Sequence, residues 1–282
     1  MGKSTLLNAL LGEKIAIISK KPQTTRNRIT GILTKDEDQF VFLDTPGMHR
    51  PRTKLGNYMV KAVTGAISDV DAAILVVEAG SQPGDIELSL IERFKTLDLP
   101  ALLVINKTDR SNPCLVADTI TAYAPLYEFA SVIPASAIKN DGCDIILDEA
   151  KAFLSESEWF FPEDAVTDQP ERQIAAEVIR EKILRTLDDE IPHGTAVVIE
   201  EFKDEKTMLS IRAEIFCEKQ SHKGIIIGKH GETLKKIGTY AREDLEAFFG
   251  IKVFLDLWVK VKENWRDSTF NLSNFGYSEK DD

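Results

Sequence analysis

Cysteine is scarce: three residues in 282 (Cys114, Cys143 and Cys217) lie far apart with no Cys-x-x-Cys pair. Neither a disulfide framework nor a thiolate zinc site is indicated, and buried free thiols are expected. The four histidines (His49, His193, His222 and His230) lack the i,i+4 spacing of a helical metal pair. No stretch approaches the roughly 18 consecutive apolar residues of a membrane-spanning helix. The start, Met1-Gly2-Lys3-Ser4-Thr5, has no signal-peptide or transit-peptide character, so the expected compartment is the cytoplasm. Basic side chains are outnumbered, 35 against 46, and the net charge of −11 argues against indiscriminate binding to nucleic acid.

What is present is the composition of a globular protein, with 43% hydrophobic and 29% charged residues. The length fits two domains of roughly 150 residues each. Charge is unevenly placed: between Lys219 and Arg242 there are six basic residues (Lys219, Lys223, Lys229, Lys235, Lys236 and Arg242) and one acid, Glu232. That stretch is the candidate surface for phosphate.

The first half alternates short apolar runs (Phe40–Leu43, Ala72–Val77, Ala101–Ile105 and Ser131–Pro134) with helical patterns, which predicts a parallel sheet covered by helices. Prolines and acids between Phe161 and Glu171 mark a connection, with the boundary placed at Ala165. Beyond it a helical stripe runs from Glu171 to Leu187, followed by strands at Ala196–Phe202 and Met208–Cys217, a glycine-punctuated helical stretch and a strand at Val253–Val261. In that last strand Val253, Leu255, Leu257, Val259 and Val261 share one face. Trp258, on the other, is expected to pack under a helix rather than stack on a base.

Gly2-Lys3-Ser4-Thr5 opens a helical run, and the amides of a helix N-terminus favour an anion. Lys3 would supply a cation to phosphates and Ser4 a hydroxyl to Mg²⁺, as in the last positions of a P-loop; alone, the tripeptide is also an ordinary helix start. Asp44-Thr45-Pro46-Gly47 follows a predicted strand, offering a carboxylate for Mg²⁺-bound water and the Gly47 N–H for a γ-phosphate. Asn106-Lys107-Thr108-Asp109 is the sharper signal, because an aspartate accepts both N1–H and the 2-amino group of guanine, a donor pair that adenine lacks. Ser136 and Ala137 would let backbone approach guanine O6. Within Lys20-Lys21-Pro22-Gln23-Thr24-Thr25-Arg26-Asn27, Thr24 or Thr25 would close on Mg²⁺ and γ-phosphate. A glutamine that orients water in Ras-like enzymes is replaced here by Met48, whose thioether cannot hold water, so slow intrinsic hydrolysis is expected.

The ordered set Gly-Lys-Ser-Thr, Gln-Thr-Thr-Arg, Asp-Thr-Pro-Gly, Asn-Lys-x-Asp and Ser-Ala resembles the translation-factor-related GTPases. Gly228-Lys229-His230-Gly231, after Ile225-Ile226-Ile227 and before a lysine-bearing helix, resembles the Gly-x-x-Gly loop of a KH domain. A GTPase domain followed by a type II KH domain is the architecture of the Era family, and the segment Trp258–Arg266 is similar to that family as well. The resemblance implies an α/β fold: a P-loop GTPase domain with a mostly parallel sheet over residues 1–165, and a smaller α+β KH domain over 166–282. It implies GTP/GDP and Mg²⁺, with a monovalent cation such as K⁺. It further implies binding to the 3′ region of 16S rRNA, assistance to 30S subunit assembly, and peripheral contact with the cytoplasmic membrane. Lys223, Gly228, Lys229, His230, Gly231, Lys235 and Lys236 are the expected RNA contacts.

Family members carry an apolar strand and Gly-x-x-x-Val before Gly-Lys-Ser. The expectation is that the start at Met1 is artificial, a GTG valine codon read as an initiator, and that the chain beginning at Met1 binds nucleotide weakly. The alternatives are a nucleotide-independent RNA-binding protein whose G domain is disabled, and a related GTPase acting on tRNA or membrane.

Overall fold

Leu6, Leu7, Leu10 and Leu11 recur at helical spacing, and α1 (Lys3–Leu11) buries all four. The computed structural model describes residues 1–19, 21, 23–188 and 191–277. Its backbone divides into two units. The first comprises Met1–Ala16, Arg28–His49 and Lys61–Asp168, and the second Ile17–Asn27, Arg50–Val60 and Gln169–Asp282. The second unit takes in every residue from Gln169 onward. Two segments of the first half, 17–27 and 50–60, also group with the second unit.

In the first unit β3 (Ala73–Glu78), β4 (Ala101–Asn106) and β5 (Ser131–Pro134) form a parallel sheet, with Val76 opposite Val104 and Val104 opposite Ile133. Every residue of β4 is buried, as a parallel strand covered on both faces requires. On one face α1 and α5 (Cys143–Lys151) pack Leu6, Leu10 and Ile146 against Leu102, Val104 and Ile133. On the other, α3 (Asp85–Leu97) and α4 (Pro113–Tyr123) pack Ile91, Phe94 and Tyr123 against Leu75, Val77, Leu103 and Ile105.

The apolar-run reading missed β1 (Ile29–Lys35), which pairs antiparallel with β2 (Asp38–Asp44) through a turn with Asp36 at φ +55°. The parallel expectation therefore holds for β3–β5, while β1–β2 forms a separate antiparallel ribbon. Phe42 and Leu43 of β2, Ile74 and Val76 of β3, and Val63 and Ile67 of α2 (Lys54–Ser68) border a cavity of about 270 Å³. Cys143 and Cys217 are buried as expected; Cys114 is exposed, because it lies on the outer side of the first turn of α4.

The second unit follows the order α6 (Glu171–Thr186), β6 (Ala196–Asp204), β7 (Met208–Cys217), α7 (Gln220–Ile227), α8 (Glu232–Phe249), β8 (Lys252–Val261). β6 and β7 are antiparallel, and β8 joins β7 in parallel. Ile179 and Ile183 of α6 and Ile237, Ala241 and Leu245 of α8 pack on Ile211, Ala213 and Ile215 of β7. Val253 and Val259 join that core, and alternation sends Trp258 to the opposite face. There it is 58% exposed, its Nε1–H donating to Asp256 Oδ2 at 2.8 Å, so it does not pack under a helix as expected. A second cluster gathers Trp265, Leu272 of α9 (Thr269–Asn274) and Tyr277 with Ala196, Leu55 and Met59. No described helix is long and apolar enough to cross a membrane.

Leu103 is fully buried in β4, so Leu103→Ala should lower the unfolding free energy by about 2–5 kcal/mol, as read from a denaturant midpoint; an unchanged midpoint would contradict the packing described.

Candidate nucleotide site and nucleic-acid interface

Gly2 precedes α1 at φ +90°, a conformation that side chains disfavour, and a Cβ there would lie 2.7 Å from Asn106 Nδ2. Gly2 supplies no side-chain cap to α1, whose first turn, which includes Thr5, holds no acid, and a helix start of this kind favours an anion. The Ser4 hydroxyl donates to Asp44 Oδ2 at 2.6 Å, joining the helix start to the end of β2. Lys3 Nζ lies 3.8 Å from where a Cβ on Gly47 would be. Thr45, Pro46 and Met48 border the same cavity as Met1 and Lys3.

Asn106, 2% exposed at the end of β4, ties these parts together. Its Nδ2 donates to the Met1 carbonyl at 2.9 Å, while its Oδ1 accepts from the backbone N–H of Lys107 at 2.8 Å and of Ala137 at 3.0 Å. The amide of Asn106 is therefore engaged in holding three backbone segments. Lys107 takes φ +67° and sends its ammonium to Glu78 Oε2 at 2.8 Å. Asp109 Oδ1 accepts from the Ser136 hydroxyl at 2.7 Å. Ser136 is itself fixed by mutual backbone bonds with Asp141, and the Thr108 hydroxyl donates to the Ala135 carbonyl at 3.0 Å.

The structure thus brings together Gly2, Lys3, Ser4, Asp44 and Gly47, and joins Asn106, Lys107 and Asp109 to Ser136 and Ala137. Thr24 and Thr25 belong to the second unit. The Thr24 hydroxyl donates to the Lys21 carbonyl at 2.7 Å and Thr25 is buried. Lys20 and Pro22 lie outside the described residues.

Sequence reasoning counted Glu78 among the strand-end turns that line the crevice but gave it no role. The hydrogen bond from Lys107 holds the Glu78 carboxyl below its ordinary range, against opposing burial. Sequence reasoning missed Gly142, at φ +77°, where a Cβ would lie 2.9 Å from the Pro134 carbonyl oxygen. The set Ser4 with Asp44 is a pair of hard oxygen donors beside a cationic side chain, which suits Mg²⁺ shared with phosphate. Among the described residues no cluster of three or more His, Cys, Asp or Glu side chains forms an independent metal site.

In the second unit α7 ends at Gly228, with φ +75° and ψ 175°. A Cβ at Gly228 would fall 2.2 Å from Thr233 Oγ1, so only glycine fits. Lys229 and His230 are exposed in the turn that follows, and Gly231, at φ +80°, starts α8. Lys235 and Lys236 project from its first turns, with Lys236 Nζ 5.9 Å from the centre of the Tyr240 ring. Lys223 sits one turn before Ile226, which anchors α7 in the core.

A strand-end nucleotide site on an α/β sheet, followed by an α-β-β-α-α-β unit with a glycine-clasped basic turn, defines the class: a P-loop GTPase joined to a KH domain. Residues 1–107 match the model of the 50S ribosome-binding GTPase family, and residues 190–266 that of the KH domain. The chain is 50% identical over 278 residues to GTPase Era of Ruminiclostridium cellulolyticum, covering 98% of this chain and 93% of that protein. It is 48% identical over 280 residues to GTPase Era of Thermoanaerobacter pseudethanolicus, covering 99% and 93%. The crystal structure of Era in complex with MgGDPNP and nucleotides 1506–1542 of 16S ribosomal RNA superposes with a TM-score of 0.94 at 38% identity, over 99% of this chain and 95% of that one. An Aquifex aeolicus Era variant bound to GDP·AlF4⁻ gives the same values of 0.94, 38%, 99% and 95%. The chain belongs to the Era GTPase family.

Because the folded pKa of Glu78 is depressed, the Lys107–Glu78 pair stabilises the first unit above the ordinary glutamate pKa. That contribution is lost as the pH falls through the lower folded value. Glu78→Gln should therefore lower the neutral and alkaline plateau of a stability–pH profile and flatten its acid limb, leaving the most acid end unchanged; superimposable profiles would remove this pair from the account.

Proposed function

We propose that this protein binds guanine nucleotides with Mg²⁺, hydrolyses GTP, and uses its second unit to hold single-stranded RNA at the 3′ end of the small-subunit rRNA, in the service of 30S subunit assembly. The observation that carries the nucleotide reading is the bond from Ser136 Oγ to Asp109 Oδ1, which fixes a carboxylate on a strand-end loop. Held there, Asp109 accepts from a base bearing adjacent N1–H and 2-amino donors, and adenine leaves that acceptor unpaired. Ser4 and Asp44 would hold Mg²⁺, which neutralises phosphate charge when bound. Thr24 or Thr25 would complete its ligands. Lys3 supplies a fixed cation, and the α1 start and Gly47 supply N–H donors. Met48 contributes no polar atom for water, so the chain's own residues support slow turnover. A monovalent cation such as K⁺, a cytoplasmic location and peripheral membrane contact belong to the same reading through the family likeness.

The RNA reading rests on the Gly228–Gly231 turn, where the missing side chains let a sugar-phosphate backbone approach and Lys223, Lys229, His230, Lys235 and Lys236 supply donors. The alternative reading is RNA binding independent of nucleotide.

Displacement of a fluorescent GTP analogue separates the two. GTP and GDP should compete at least a hundredfold better than ATP, and Asp109→Ala should erase that preference; equal competition by ATP would overturn the nucleotide reading. Replacing both Lys229 and His230 by Glu should weaken binding of a 3′-terminal 16S oligonucleotide at least tenfold while analogue affinity stays constant. Met48→Gln should leave the single-turnover hydrolysis rate within a hundredfold of the parent, and a larger rise would show that the missing glutamine alone limits the chemistry.

A further inference from the structure

Past α5 the first unit ends in a stretch, residues 154–168, that carries five acids (Glu156, Glu158, Glu163, Asp164 and Asp168) and no basic residue. In its midst stand three consecutive aromatics, Trp159, Phe160 and Phe161. Rings of this size are ordinarily turned inward. Here the backbone is fastened to the β1–β2 ribbon while two of the three rings stay outside.

Gln39 of β2 is the main fastener. Its Nε2 donates to the Thr34 hydroxyl at 3.0 Å and to the Phe161 carbonyl at 2.9 Å, and its Oε1 accepts from the Phe161 N–H at 3.0 Å. One side-chain amide thus serves both backbone groups of Phe161, as a neighbouring strand would. Trp159 Nε1–H donates to the Glu37 carbonyl at 3.1 Å, and further along the Val166 carbonyl accepts from the Ile32 N–H at 2.9 Å. The Thr167 hydroxyl donates to the Thr30 carbonyl at 2.7 Å.

With residues 159 and 161 both tied to the ribbon, the side chain between them turns away. Phe160 is 78% exposed, more than any other large apolar side chain described. Trp159 has spent its single polar atom on Glu37 and still leaves 43% of its surface open. The charge beside the rings is unspent as well: Glu156, Glu158, Glu163 and Asp164 are exposed, and none joins an ion pair among the described residues. Lys151, the nearest basic residue in the sequence, is already held by Asp38 Oδ2 at 2.5 Å.

Open ring faces flanked by carboxylates select a cation. A guanidinium can lie flat on a ring and set its N–H fork on a carboxylate at the same time, which an ammonium on a flexible stem does less well. Four unpaired carboxylates repel phosphate, and this sets nucleic acid and anionic lipid aside as occupants. Because the backbone is held beforehand, the cost of ordering falls on the partner alone.

We propose that the strip 156–164 is a docking surface for an extended, arginine-rich segment of a basic protein, with Trp159 and Phe160 as stacking platforms and the four acids as counter-charges. The inference is independent of the nucleotide and RNA readings given above.

Fluorescence anisotropy of two labelled decapeptides with the full chain, one alternating arginine with glycine and one alternating lysine with glycine, tests it at physiological ionic strength. The arginine peptide should bind about fivefold more tightly than the lysine peptide. Phe160→Ser leaves the charge unchanged, and it should weaken the arginine peptide about fivefold and bring the two peptides level. Glu156→Gln combined with Glu158→Gln should weaken both peptides. Asp118→Asn combined with Glu128→Gln removes two exposed acids outside the strip and should leave both affinities within about twofold, which separates docking from the general attraction of a net charge of −11. Equal binding of the two peptides by the parent would overturn the proposal, as would affinities unmoved by Phe160→Ser or by the paired glutamine exchange. Flotation with phosphatidylcholine vesicles, or self-association in sedimentation, that Phe160→Ser abolishes would overturn it too, by giving the open rings to a membrane or to a second copy of the chain.

Discussion

The buried amide of Asn106 is the constraint on which the first unit's site depends. One side chain with a single carbonyl and a single NH₂ reaches Met1, two residues ahead of α1, the loop that follows β4 and the loop that follows β5. Each bond is modest in net terms, yet leaving these buried groups without partners would cost about 1–3 kcal/mol apiece. Its close approach also explains Gly2, since any side chain there would collide with Nδ2. The phosphate side and the base side of the site are thus set by one residue, with Ser4–Asp44 and Ser136–Asp109 as the two outer fastenings.

Much of this was legible because strand ends in a parallel sheet bring their following turns to one edge. Asp44, Asn106 and Ser136 could be assigned to a common site once the runs before them were recognised as strands, and β5 coincides with its predicted span. What could not be read was the use to which each residue is put. Asn106 looks like a base contact in the sequence because its motif is recognised as a unit. Only three-dimensional placement shows that it also holds the backbone of Met1, Lys107 and Ala137. Glu78 could be placed at a strand end, but its pairing with Lys107 could not be read because a single glutamate after an apolar run carries no pattern. β1 escaped notice because Thr30, Gly31 and Thr34 interrupt the apolar run, and its burial comes from α1 lying across Gly31.

The second unit was legible at the level of element order for the same reason, period-2 and period-3.6 patterns separated by glycine. Its limit lay at the edges. Trp258 is an aromatic residue in an alternating strand, and alternation alone does not say which of the two faces a helix covers. The cluster formed by Trp265, Leu272 and Tyr277 with Leu55 and Met59 depends on pairs about 200 residues apart, a separation at which periodicity carries no information. Arg26 illustrates the point: in sequence it is one more basic residue of a polar loop, whereas in the fold it occupies the interior of an aromatic cluster.

The contact between Gly228 and Thr233 has an entropic consequence. The space a side chain at Gly228 would need is filled by Thr233, five positions along the same backbone, within a continuous run of short-range structure. Its left-handed conformers are therefore settled when the polypeptide folds, and an incoming strand meets a rigid notch instead of ordering a loose one. Preorganisation of this sort spares a complex the freezing of a loop at the moment of encounter, and it removes a conformational step that would otherwise slow capture.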